Sequence, residues 1–308
     1  MTKHTLVFMV LLNRVQIKIF RNKDNNNLIL ISSNLKEDSM DYTTIKYEIN
    51  DGVLTLKLNR PERMNAVNEE MYSEIADLLQ KHREDNGVRV VILTGSVRVK
   101  DGLEKQAFCA GADLKKHSEG ARTHAQKRKY IEQAHEATRR LYQYPKPVIA
   151  AVNGPARGAG AELAFSCDFL IMSDEASIAF PEIGLGTFVG GGVTRHLPRI
   201  VGLMKAKELI YTGRVLDGAT AVELGIALYS YPMAEFMDRI MELAAGIASK
   251  APIPMAMAKK HLQRSSQLDI ESVLQLETDA ILSCMDTEDW QEGVNAFAEK
   301  RNPVYRGR

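Results

Sequence analysis

The segment Val152-Asn-Gly-Pro-Ala-Arg-Gly-Ala-Gly-Ala-Glu-Leu-Ala164 constrains this chain more than any other. Gly158 and Gly160, with Gly154 before them, let the backbone turn tightly and approach a ligand closely. The small and apolar residues that follow predict a helix starting near Ala159, whose free N–H groups and positive dipole end face back into the turn. Glu162 then falls in the first turn of that helix. Twenty residues further on, Ala179-Phe-Pro-Glu-Ile-Gly-Leu-Gly186 carries a second acid, Glu182. Anion-stabilising amides beside two carboxyl groups suit proton transfer next to a carbonyl.

A second turn lies upstream. Residues 88–94 have the length and β-branched content of a buried strand. Ala107-Phe-Cys-Ala-Gly-Ala-Asp-Leu-Lys115 follows, a small-residue turn ending in Asp113, which is placed to cap a helix. Around these two turns the pattern is that of an α/β chain. Residues 45–49 and 53–58 predict a hairpin about Asn50-Asp51-Gly52. Asn68 predicts a helix cap, with Glu69 and Glu70 in the first turn. Strands at 88–94, 148–152 and 169–173 alternate with helices. Beyond Pro232 the signal is helical only, over 235–249, 255–264, 270–285 and from Glu288. The chain thus divides into residues 1–40, 41–232 and 233–308. Ile240, Leu243, Ala244, Ile247 and Ala248 put apolar side chains on more helical faces than one core absorbs, which predicts self-assembly.

Other chemistries leave little trace. Gly158-x-Gly160 is not a dinucleotide fingerprint, because Leu163 stands at the third glycine position. The histidines form no metal-ligand pattern, and neither a nucleophile elbow nor a phosphate loop is present. Cys109, Cys167 and Cys284 are scattered, as in a reducing compartment such as the cytoplasm, and Cys109 has no histidine near it in sequence to activate it. Forty basic against thirty-nine acidic side chains provide no bulk field for nucleic acid or an anionic membrane. No apolar run approaches the roughly twenty residues of a membrane span.

The motifs at residues 107–114, 152–163 and 180–186, together with Glu292-Gly-Val-Asn-Ala-Phe-Ala-Glu-Lys-Arg-Asn-Pro303, resemble in order and spacing those of the crotonase superfamily, the enoyl-CoA hydratases and isomerases. The resemblance runs from about Tyr42 to the C-terminus. It implies a right-handed spiral of ββα units with a C-terminal helical region that mediates trimer contacts, the trimers pairing into a hexamer. It also implies hydration of a 2-enoyl-CoA thioester to the 3-hydroxyacyl-CoA. The amides of Ala110 and Ala159 would hold the thioester oxygen, and Glu162 and Glu182 would flank one water and share a proton. The sequence does not say which glutamate is base and which is acid. The CoA moiety, part of the substrate rather than a separate cofactor, would lie along Arg63 and Ala66 and along Ala110, Gly111, Ala112, Asp113 and Leu114. Lys300 would reach a neighbouring subunit's phosphate, a solvated lysine being the competing reading. No metal is implied.

Two residues depart from the hydratase pattern. Ala159 replaces a frequent glycine, which preserves the N–H provided its φ is negative. Phe180 replaces a hydrogen-bonding glutamine, which points to different tuning of the acids or another acyl group. The rival activities on this scaffold are enoyl-CoA isomerisation or dehalogenation, which keep one of the two acids, and thioester hydrolysis, which releases free thiol. An RNA-binding member would need a basic stretch. Residues 1–40 stand apart: they contain no Ala, Gly or Pro. Lys36-Glu37-Asp38-Ser39 can be encoded by DNA that contains a bacterial ribosome-binding sequence. The expectation is a native start at Met40, with the preceding segment non-native or disordered and contributing nothing to core or site.

Overall fold

The structure, a computed structural model, describes residues 42–308 except 116–119, 121 and the side chain of Lys100. Of residues 1–41 it describes the backbone of three strands, β1 (His4–Leu12), β2 (Val15–Asn22) and β3 (Leu28–Asn34), paired antiparallel in that order. They belong to a unit separate from Tyr42–Arg308. These strands add to the sequence reading, which places no regular structure there. The expectation of poor packing falls on side chains outside the described residues.

In the larger unit β4 (Ile45–Asn50) and β5 (Val53–Leu58) form the expected hairpin. Asp51 and Gly52 both adopt positive φ, as a two-residue turn matched to strand twist requires. The chain then makes β6 (Val90–Gly95), β7 (Arg98–Lys100), β8 (Leu103–Lys105), β9 (Val148–Val152), β10 (Ala156–Arg157), β11 (Phe169–Ser173), β12 (Ser177–Ala179), β13 (Leu216–Asp217) and β14 (Tyr229–Tyr231). The main sheet has the order β14-β11-β9-β6-β5-β4 and is parallel except at β4. A small sheet, β10-β12-β13, stands beside it.

Strands β6 and β9 are buried on both faces, as parallel strands covered by helices are. Val91, Leu93, Val148 and Ala150 share one core with Met71, Ile75, Leu78 and Leu79 of helix Glu69–Lys81 and with Ala134, Ala137 and Leu141 of helix His124–Tyr142. Both helices have side-chain caps, Asn68 for the first and a capping box at Thr123 for the second. On the other face Val90, Ile92, Ile149, Ala151 and Ile171 pack against Phe236, Ile240 and Ala244 of helix Met233–Ala248.

That packing corrects one expectation. Leu243, Ile247 and Ala248 also join this second core, so the five residues read as an assembly face are turned to the sheet. Beyond Pro232 the exposed large apolar side chains begin only at Leu262 and include Ile270, Ile281 and Phe297. They lie on helices Pro252–Arg264, Ile270–Met285 and Glu288–Glu299, where Leu262, Ile281 and Phe297 line an open groove of about 900 Å³ together with Met257, Ala258 and Trp290. No helix of the described residues is long and apolar enough to cross a membrane.

Helix Pro252–Arg264 is tied to the sheet by one ion pair. Lys259 Nζ lies 2.6 Å from Asp168 Oδ2, and Asp168 also accepts the Val148 N–H at 2.8 Å. Both side chains are withdrawn from solvent. Removing one partner of such a pair strands the other charge. Lys259→Met should lower the unfolding free energy by about 3 kcal/mol in urea titrations; an unchanged midpoint would show that the pair does not hold this helix.

Candidate active site

The two glycine-containing turns lie side by side. Parallel β6 and β9 deliver the chain to the same end of the sheet, and beyond it residues 109 and 156 form a parallel bridge. The Cys109 N–H donates to Pro155 O at 3.1 Å, and the Arg157 N–H donates to Cys109 O at 3.0 Å. Gly160 makes this approach possible: a Cβ there would lie 2.4 Å from Cys109 O and 2.6 Å from its Cβ. On its other side the 107–113 segment is laced to the loop after β5. Val67 bridges Ala112, the Val67 N–H donates to Gly111 O at 2.8 Å, and the Asp113 N–H donates to Val67 O at 2.9 Å.

Glu162 and Glu182 meet through the small sheet. Strand β10 pairs in parallel with β12, and the Gly158 N–H donates to Ala179 O at 3.1 Å. Arg157 reinforces the pairing with bonds of 2.8 Å to the carbonyl and hydroxyl of Ser177. The chain leaves β12 through Phe180 and Pro181 and sets Glu182 beneath the turn. Gly158, at φ 50° and ψ −120°, is the residue before helix Ala159–Phe165, and a Cβ on it would stand 2.9 Å from Glu182 Oε1. Glu162 lies in the first turn of that helix and accepts the Gly190 N–H at 2.6 Å. Both carboxylate oxygens of Glu182 are buried with no hydrogen-bond partner.

This environment favours the neutral acids. Burial, and then the neighbouring charge of Glu182, pushes Glu162 up to about 7 against the opposing pull of the Gly190 amide. Burial also raises Glu182. Phe180, two residues before Glu182, packs edge-to-face on Phe165 at 5.2 Å and is 3% exposed, so its side chain is part of the core and brings the acids no polar partner.

The two expected amides differ in their partners. Ala159 is the first helical residue, with negative φ, so alanine fits there and its N–H has no acceptor within the helix. The Ala110 N–H instead donates to Met64 O at 3.0 Å. Met64 and Asn65 both have positive φ, which turns the Met64 carbonyl toward it. The Ala110 hydrogen is thus engaged by Met64 and would have to leave that carbonyl to serve a ligand. Ala110 is itself exposed, between buried Cys109 and Gly111.

The other expected contacts fall on the same loops with one exception. Arg63 is exposed; Ala66 is buried, and its carbonyl accepts Arg60 Nη1 at 2.6 Å. Asp113 is turned inward and pairs with Arg60 Nη2 at 2.8 Å, a brace between the loops. Ala112 is partly exposed and Leu114 is 57% exposed. Leu114 and Lys115, which follow Asp113, are helical, and the rest of the helix that Asp113 would cap falls on residues outside the described ones. Lys300 closes the last helix with φ 54° and is exposed, on an element that supplies none of these loops.

Residue-type reasoning missed Tyr72 and Tyr130. Their rings are 5.9 Å apart, their hydroxyls are hydrogen-bonded, and both feel the charge of Glu162. Their positions on the buried faces of two helices mark them only as core. Cys109 is fully buried, and burial pushes its thiol up to about 12, which agrees with its reading as an inert side chain.

Because Glu162 ionises at about 7 when folded and at the ordinary 4.5 when unfolded, the native state binds the extra proton between these values. Its contribution is full below pH 4.5 and is lost as pH rises through about 7, a swing of about 3 kcal/mol. Wild-type stability relative to Glu162→Gln should fall across this window in urea unfolding. A difference that is flat with pH would contradict the assignment.

Comparison with known proteins identifies the family. Residues 48–308 match the family profile described as enoyl-CoA hydratase/isomerase. A putative enoyl-CoA hydratase/isomerase of Bacillus subtilis is 37% identical over 258 residues, covering 84% of this chain and 96% of the relative. A short-chain-enoyl-CoA hydratase of Clostridium acetobutylicum is 35% identical, with 85% and 97% covered. The crystal structure of an enoyl-CoA hydratase from Bacillus anthracis superimposes with a TM-score of 0.81 at 36% identity, covering 86% of this chain and all of that one. The α/β spiral with its C-terminal helices is therefore the crotonase fold, and the chain belongs to the enoyl-CoA hydratase/isomerase family.

Proposed function

We propose that this protein adds water across the double bond of a 2-enoyl-CoA thioester to give the 3-hydroxyacyl-CoA. The observation that carries this reading is the pair of buried carboxyl groups, both raised above their ordinary range, beside a helix N-terminus. Hydration needs a base for water and a proton for the α-carbon, and two such acids sharing one proton supply both. The thioester oxygen gathers negative charge as water attacks the β-carbon. The Ala159 N–H meets that charge, joined by the Ala110 N–H once it exchanges the Met64 carbonyl for the substrate, each donor lowering the barrier by a few kcal/mol. The pantetheine and nucleotide of CoA run along residues 110–114 and past Arg63 and Ala66. The isomerase reading needs only one acid, so the presence of two favours hydration.

The apolar faces left open on the last three helices support a trimer or a pair of trimers. Free thiols at Cys109, Cys167 and Cys284 support a reducing compartment such as the cytoplasm.

Two measurements test this reading. Glu162→Gln and Glu182→Gln should each lower kcat for crotonyl-CoA hydration by roughly 10²–10⁴-fold with the circular dichroism spectrum unchanged. Near wild-type turnover in either variant removes that residue from the mechanism, and free thiol release or double-bond migration without hydration by the parent enzyme rejects the activity. Light scattering at micromolar concentration should report a trimer or larger; a monomer contradicts the assembly.

A further inference from the structure

We propose that Asn65 is a positioning residue for the segment that carries the Ala110 amide, acting by closing the neck of the β7–β8 hairpin. The inference rests on the oxyanion role given to Ala110 above. Asn65 is completely buried and holds φ 55°. Its Oδ1 accepts the Arg60 N–H at 3.0 Å, while Nδ2 donates to Ser96 O at 2.9 Å and to Ala107 O at 2.8 Å. Ser96 enters the hairpin and Ala107 leaves it, so one carboxamide ties both legs together.

Asn153, from the other turn, makes a second tie one residue earlier in the chain on each leg. Its Oδ1 accepts the Gly95 N–H at 3.1 Å, and its Nδ2 donates to Gly95 O at 3.0 Å and to Gln106 Oε1 at 2.9 Å. The hairpin beyond the neck has no core of its own, with Val99 at 65% and Leu103 at 74% exposure. Displacements of this exposed arm would otherwise pass along the chain to residues 107–110. Asn65 also holds the Arg60–Ala66 loop that aims the Met64 carbonyl at the Ala110 N–H. Its carboxamide therefore sets both the donor and the group from which the substrate must take it.

Asn65→Gly separates this role from the backbone, since glycine keeps the positive φ while all three side-chain bonds are lost. For crotonyl-CoA the variant should lose on the order of tenfold or more in kcat, with KM within about threefold. A bound aryl-enoyl-CoA should also show a smaller red shift of its conjugated absorbance than in the parent, because weaker amide polarisation reaches the thioester oxygen. A lower melting temperature with kcat and red shift unchanged would reduce Asn65 to a purely structural residue and overturn the proposal. A second variant, in which two glycines replace β7, β8 and their turn, does not depend on how Asn65→Gly folds. The neck predicts that its kcat stays within about twofold of the parent; a tenfold loss overturns the proposal. Amide exchange by mass spectrometry decides the neck even if the parent enzyme hydrates nothing, a result that would count against the hydratase reading alone. Exchange over residues 107–113 should quicken in Asn65→Gly and stay as in the parent when the hairpin is trimmed; the reverse pattern overturns the proposal.

Discussion

The contact on which the rest of the site depends is the backbone bridge between Cys109 and Ala156. It joins two turns more than forty residues apart in the chain, and Gly160 permits it because no side chain stands between the strands. Once it forms, Ala110 and Ala159 are carried on paired backbone rather than on independent loops. Strand β10 extends the same pairing to β12, and β12 hands on to Glu182. A short ladder of backbone hydrogen bonds thus fixes the two amides and both acids in one frame. For the proposed hydration, this frame leaves the Ala159 N–H ready without reorganisation, whereas the Ala110 N–H has first to exchange its partner.

Function opposes stability at this point. Burying two carboxyl groups beside each other, one of them without a hydrogen-bond partner, disfavours the folded state at neutral pH. The doubly buried parallel sheet and the helices on its two faces supply the offset. Apolar Phe180 in place of a polar partner leaves the acids to be governed by burial and by each other. The bond from Ala110 to Met64 satisfies the amide of an exposed residue, and the proposed activity would require that bond to be exchanged for one to substrate.

Local signals were readable where one residue type has one physical use. Asp51-Gly52 marked its hairpin, Asn68 its helix start, and the Gly158–Ala159 junction the helix whose first turn holds Glu162. The convergence of Glu162 with Glu182 was legible only by resemblance, since it follows from a two-residue strand too short to leave a periodic pattern. Asp101-Gly102 carries the same turn signal as Asp51-Gly52, and both residues adopt positive φ. With Val97 and Val99 before the turn and only Leu103 after it, alternation was too brief to declare strands. The Ala110–Met64 bond depends on two successive left-handed residues without glycine, which residue preference does not announce. The inward turn of Leu243 and Ile247 shows that helical periodicity identifies an apolar face and leaves its partner to the tertiary fold.

A crystal structure with a bound, non-hydratable acyl-CoA thioester tests the central claim most directly. The account predicts the thioester oxygen about 2.7–3.1 Å from the amide nitrogens of both Ala110 and Ala159, with the Ala110 bond to Met64 released and the β-carbon facing the gap between Glu162 and Glu182. A thioester oxygen held elsewhere, with Ala110 still bonded to Met64, would contradict it.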